Sequence, residues 1–207
     1  MLTRLSSLPS HTQQTAYTYS STQMQSLLHA TRKVETLMTA YFSPLEVLAG
    51  KATVEQAAAQ TVVTVPYYSE AEALDANTVN VLGQQLAVVL ERPVQLVVVR
   101  LLTPSLDASV LSQYLSKELH DSTFRKVMLA LFSSAGIVTT GSSSSSVPGT
   151  LIGVKVRLAG RLLQEATQPR QTIQTVSLGC FSPHPNHLLQ SSSYTATNLK
   201  GAYTVKV

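Results

Sequence analysis

The chain has one cysteine, no tryptophan and an aromatic content of only 6% across 207 residues. A single thiol, Cys180, cannot staple a fold through intramolecular disulfides, which argues against a secreted disulfide scaffold and for a reducing compartment. No apolar run reaches the ~18 residues needed to cross a bilayer. The longest candidates, near Val97 and Leu129, are interrupted, so no membrane association is expected. The first thirty residues carry one Lys or Arg, Arg4, among Ser, Thr and Gln, a composition unlike a secretory signal or an Arg-rich transit peptide.

Also missing are the short patterns that seat a nucleophile or cradle a phosphate. There is no G-x-S-x-G elbow, no G-x-x-x-x-G-K-[ST] loop and no G-x-G-x-x-G turn. Asp107 and Glu118 come nearest to a carboxylate pair, and a helix cap and an exposed helix position explain them without chemistry. Cys180, His184 and His187 form C-x3-H-x2-H, ligand types suited to zinc. A fourth ligand is not evident and Pro183 and Pro185 share the segment, which reads as an ordinary loop. No enzyme activity, metal site or cofactor is expected.

Negative charge is scarcest in the last part of the chain. Residues 123–207 hold one acid, Glu165, against eight Lys or Arg, whereas residues 1–122 hold ten acids against seven. The net charge of +4 therefore conceals halves of about −3 and +7. A merely solvated surface intersperses both signs; one stripped of acids suits a polyanion, with each contacted phosphate releasing counterions.

Along the chain, Met24, Leu27, Leu28, Val34 and Leu37 fall at helical intervals and Ala-rich sequence surrounds Gln56–Gln60, so residues 1–60 read as a polar lead and two or three helices. Thr61–Tyr68 is dominated by β-branched and aromatic residues and forms a strand with Pro66 at an edge. Asn77 is a candidate N-cap for a helix bearing Val79, Leu82, Leu86, Val89 and Leu90. The nearly continuous apolar run Val94–Leu102 reads as a well-buried strand. Asp107 caps a helix with Val110, Leu111, Tyr114, Leu115 and Leu119, and another carries Phe124, Val127, Met128, Leu131 and Phe132 on one face. Gly141 with the five serines that follow cannot bury apolar area and forms a loop.

Beyond that loop, Val154, Val156 and Leu158 alternate with Lys155 and Arg157, a strand with one buried and one cationic face, and the same parity extends to Arg161. Lys155 and Arg157 then stand roughly 6.6 Å apart, within reach of neighbouring phosphates on one RNA strand. Thr172–Leu178 and Ala202–Val207 complete an antiparallel sheet packed on the helices. Arg170, Lys200 and Lys206 are further RNA-binding candidates.

Taken together, Leu82–Arg92, Pro93–Leu102, Ser105-Leu106-Asp107-Ala108, Phe124-Arg125-Lys126 and Gly153–Arg161 resemble small-subunit ribosomal protein three, the KH-domain protein of the subunit head. The fungal mitochondrial members are most similar, at Val63–Tyr68, Val99-Arg100-Leu101 and Lys200–Val207. The most specific segment, Gly153-Val154-Lys155-Val156-Arg157-Leu158-Ala159-Gly160-Arg161, matches the family's Gly-[Ile/Val]-Lys-x-x-x-Ser/Ala-Gly-Arg run. Coverage begins near Thr61.

The resemblance implies an α+β chain: a helical N-terminal extension over 1–60, a degenerate type II KH-like domain over 61–104, and a C-terminal α/β domain with an antiparallel sheet over 105–207, its Ser-rich loop at 141–147. The family's GxxG loop, whose glycines let backbone close on nucleotides, is replaced by Ser69–Ala76 with Glu70, Glu72 and Asp75, so this half is not expected to grip RNA there. Arg125 and Lys126 match the first two members of a basic cluster that faces the mRNA entry and serves unwinding in bacterial relatives. Leu129 takes the third position, and Asp121 and Ser122 replace the preceding basic pair, which implies a reduced contact with incoming mRNA. The implied role is structural, in the mitochondrial small ribosomal subunit, with small-subunit rRNA, mRNA and neighbouring head proteins as partners and no self-association. The alternative is an RNA-binding assembly or translation factor acting off the ribosome.

Overall fold

The computed structural model describes residues 21–45, 47–56, 60–70, 74, 76–134, 151–166, 169–181 and 189–207. The Ser-rich loop, the polar lead, His184, His187, Glu72 and Asp75 lie outside the described residues. The architecture is α+β, and the chain divides into two compact units that meet in sequence at Arg100 and Leu101.

In the first unit, helix α1 (Ser21–Phe42) is followed by short strands β1 (Leu48–Ala49) and β2 (Thr53–Gln56), strand β3 (Thr61–Tyr68), helix α2 (Ala76–Leu90) and strand β4 (Val94–Arg100). β1 and β2 run antiparallel along one side of β3, joined into a single ladder where the Gly50 N–H donates to the Pro66 carbonyl at 2.8 Å. β4 lies parallel to β3 on its other side, from Thr61 opposite Val94 to Tyr67 opposite Arg100. Alternation along β3 sends Val63, Val65 and Tyr67 inward. There they meet Val34, Met38 and Phe42, one turn apart on α1, and Leu82 and Leu86 of α2.

Four expectations for this unit are revised. Pro66 does not sit at a sheet edge: β3 is flanked by β1 and β2 on one side and by β4 on the other, with Pro66 opposite Val99. The described residues from 21 to 56 supply one long helix, a 3-10 turn at Ser43–Leu45 and two short strands, because Thr53 and Val54 find a ladder partner in β3 that outweighs local helix propensity; the Ala-rich stretch 57–59 lies outside the described residues. β4 is not buried on both faces. Only one face of it meets the described helices, and Val97 and Val99 on the other are 36% and 43% exposed. Helix α2 starts at Ala76, so Asn77 lies within its first turn instead of capping it.

The second unit contains helices α3 (Ala108–Asp121) and α4 (Phe124–Ser134) and the antiparallel sheet β5 (Gly153–Gly160), β6 (Ile173–Gly179), β7 (Ser193–Asn198) and β8 (Gly201–Lys206), in the order β6-β5-β8-β7. Asp107 caps α3 as expected, its carboxylate accepting from the Ser109 and Val110 amides at 2.8 and 3.0 Å. Leu111, Leu115 and Leu119 of α3 and Phe124, Val127, Met128 and Leu131 of α4 cover Val154, Val156 and Leu158 of β5 and Tyr203 and Val205 of β8. Buried Tyr203 satisfies its hydroxyl by donating to the Ser116 carbonyl at 2.9 Å. Helices α3 and α4 thus lie on one face of the sheet, and among the described residues no helix covers the other, here called the open face.

Candidate nucleic-acid interface

β5 carries the cations as its alternation predicts: Val154, Val156 and Leu158 are buried while Lys155 and Arg157 are exposed. Register adds what one strand cannot reveal. Arg157 pairs with Lys206 of β8 on one side and Thr175 of β6 on the other, and Lys155 pairs with Ser177. Lys206 in turn faces Ser193 of β7. Three exposed cations therefore share the open face on adjacent central strands, and no residue paired with them across the ladder is acidic.

Directly opposed like charges destabilise an antiparallel pair. An Arg opposite a Lys gains nothing for the fold and becomes favourable once an anion lies over both. Around these cations the open face is hydroxyl-rich. Thr175 and Ser177 on β6, Thr204 on β8, and Ser193, Thr195 and Thr197 on β7 occupy alternate positions. The Thr195 and Thr204 hydroxyls are 2.9 Å apart.

Sequence reasoning missed these hydroxyls and the whole of β7. Ser or Thr at every second position in Thr175–Ser177 and Ser193–Thr197 is the signal that marks them.

The other candidates divide. Arg161 is exposed but follows Gly160, whose φ of 129° ends the extended backbone, so the parity of β5 does not carry through to it. Its carbonyl accepts from the Asn198 side chain at 2.8 Å. Arg170 is exposed ahead of β6. Lys200 is half-buried and its ammonium is engaged by backbone, donating to the Leu163 carbonyl at 2.7 Å and to that of Glu165. It ties the β7–β8 turn to the segment after β5.

Arg125 and Lys126 are exposed in the first turn of α4. Arg125 borders a groove of about 380 Å3 between α4 and β6, floored by Phe124, Met128, Phe132 and Val176. Leu129, also on that groove, is 64% exposed. Cys180 is exposed, its amide bonded to the Ile152 carbonyl, and no cluster of three metal-ligating side chains occurs among the described residues. Of the connector ahead of α2, Ser69, Glu70 and Leu74 are described and offer no glycine.

The family model described as mitochondrial ribosomal protein (VAR1) matches residues 15–207. The chain belongs to this family. It is also similar to the small ribosomal subunit protein uS3m of Mycosarcoma maydis, with 29% identity over 136 residues, covering 61% of this chain and 49% of that protein. The chain thus spans about half the length of the relative it matches. The resemblance read from its segments and the mitochondrial ribosomal location both hold: this is a uS3-type member of a mitochondrial ribosomal protein family. Such proteins are structural components, not enzymes.

Proposed function

We propose that this family member is a structural constituent of the small subunit of the mitochondrial ribosome, anchored on rRNA of the subunit head by the open face of its second sheet. The observation that carries this is the opposed pair Arg157 and Lys206 with Lys155 beside it, uncompensated by any acid across the ladder. Arg161 and Arg170, exposed at the ends of β5 and β6, extend the contact. Lys200 acts differently, holding the sheet's end in shape through the carbonyls of Leu163 and Glu165.

Arg125 and Lys126, one after the other on an exposed helical turn, stand near the mRNA entry and touch incoming message. With Leu129 as an apolar neighbour one turn on, they supply two charges instead of a continuous basic row. Neighbouring head proteins meet the first unit, where the bare face of β4 offers Val97 and Val99.

Sedimentation of mitochondrial small subunits under rising salt tests this role. A constituent held by many phosphate contacts stays with the subunit at moderate salt. Release into the free fraction there assigns the chain to a transient factor instead. In parallel, Lys155→Ala, Arg157→Ala and Lys206→Ala together are expected to reduce incorporation into the subunit, whereas neutralising the exposed Arg32, Lys33 and Lys51 of the first unit leaves it largely intact.

A further inference from the structure

We infer that the open face of the second sheet accepts double-stranded rather than single-stranded RNA, with its hydroxyls along the shallow minor groove and its cations against the flanking phosphates. This rests on the proposed rRNA binding and names the form of RNA that the face takes.

Proteins that hold unpaired bases do so largely by stacking them on aromatic rings. No ring stands on this face among the described residues of its strands. Tyr203 points into the core and is bonded to Ser116, and Tyr194, paired with buried Val205, lies on the helix-covered side. Where aromatics would be needed, the strands present Ser and Thr.

A hydroxyl both donates and accepts, as does the ribose 2′-OH that lines the wide minor groove of an RNA duplex. The rung next to the Arg157–Lys206 pair runs Ile173, Ala159, Thr204, Thr195, so a small methyl on β5 leaves room for a sugar edge to approach the two threonine hydroxyls. Four strands spread this surface over roughly 14 Å at ~4.8 Å each. That breadth suits a shallow groove. The deep, narrow major groove of an RNA duplex would exclude it. Lys155, Arg157 and Lys206 gather at one end of the grid opposite Ser177, Thr175 and Ser193, and the hydroxyls of Thr204, Thr195 and Thr197 continue along the strands beyond them, a layout that suits a phosphate strand bordering a groove.

The test compares binding of the full chain to an RNA hairpin, a DNA hairpin of the same sequence, and an unstructured single-stranded RNA of the same length, by fluorescence anisotropy at fixed salt. The RNA hairpin is expected to bind about tenfold tighter than either competitor, the size produced by one or two extra hydrogen bonds. The double variant Thr195→Val with Thr204→Val keeps shape and strand propensity and is expected to bring RNA and DNA hairpins to nearly equal affinity, with an unchanged thermal midpoint. Single-stranded RNA binding as tightly as the hairpin, or a valine variant that retains its preference for RNA over DNA, overturns the inference alone. If Lys155→Ala, Arg157→Ala and Lys206→Ala together leave hairpin binding unchanged, the proposed interface fails and the inference with it.

Discussion

Two residues near the interface show how local geometry is fixed before any RNA arrives. Asp107 is 6% exposed and its carboxylate closes two amides at the start of α3, a role read directly from its place ahead of Val110 and Leu111. Asp107→Ala is expected to cost about 1–2 kcal/mol, and Asp107→Asn much less since the amide oxygen still accepts; urea unfolding of the two variants measures the difference. Gly160 is a different case. The Gly-Arg pair at the end of the cationic strand stood out in the sequence, but not why glycine is needed. With φ at 129°, a Cβ there would come within 2.6 Å of the Tyr203 Cα. Gly160→Ala must move backbone of β8 and is expected to destabilise by about 1–3 kcal/mol. A variant as stable as the parent by thermal melting would show that the β5–β8 ladder yields there. The role of Lys200 was equally hidden: a lysine in a basic tail looks like a phosphate ligand until its ammonium is found on two loop carbonyls.

Elements were legible in proportion to how strongly their own pattern specified them. Helices α3 and α4 were evident because leucines and phenylalanines recur at three- and four-residue steps over a whole helix. Leu115, fully buried among sheet residues, carries that stripe. Leu115→Ala is expected to lose about 2–5 kcal/mol, whereas Leu129→Ala, at a position 64% exposed, should stay within about 0.5 kcal/mol of the parent. Equal losses in denaturant midpoint would contradict the packing of α4. Strands β1, β2 and β7 were not legible. β1 and β2 are only two and four residues long, and β7 is mostly hydroxyls with Tyr194, whose β propensity is realised only against β8. β4 misled in the opposite direction: a run of valines reads as doubly buried when a strand's bare face is apolar too, and no feature of one strand says which of its faces a helix will cover.

At the scale of the whole molecule, the charge asymmetry was open to simple counting and the surface that concentrates it was not. That Lys155 and Arg157 share a face follows from period two; that Lys206, about fifty residues further along, stands opposite Arg157 follows only from the register of β5 with β8. This distinction makes a quantitative expectation. Each phosphate neutralised contributes roughly 0.7–0.9 to the slope of log K against log salt. If the three cations act together on one RNA, replacing all of them with Ala flattens that slope by about 2 to 3, while Arg32, Lys33 and Lys51, which lie in the first unit with most of the chain's acids, change it by well under 1. Titrating full-length parent and both triple variants with an RNA hairpin across a salt series gives the two slopes directly. A parallel shift of the lines, with lower affinity but an unaltered slope, would mean that Lys155, Arg157 and Lys206 shape the sheet without touching phosphate.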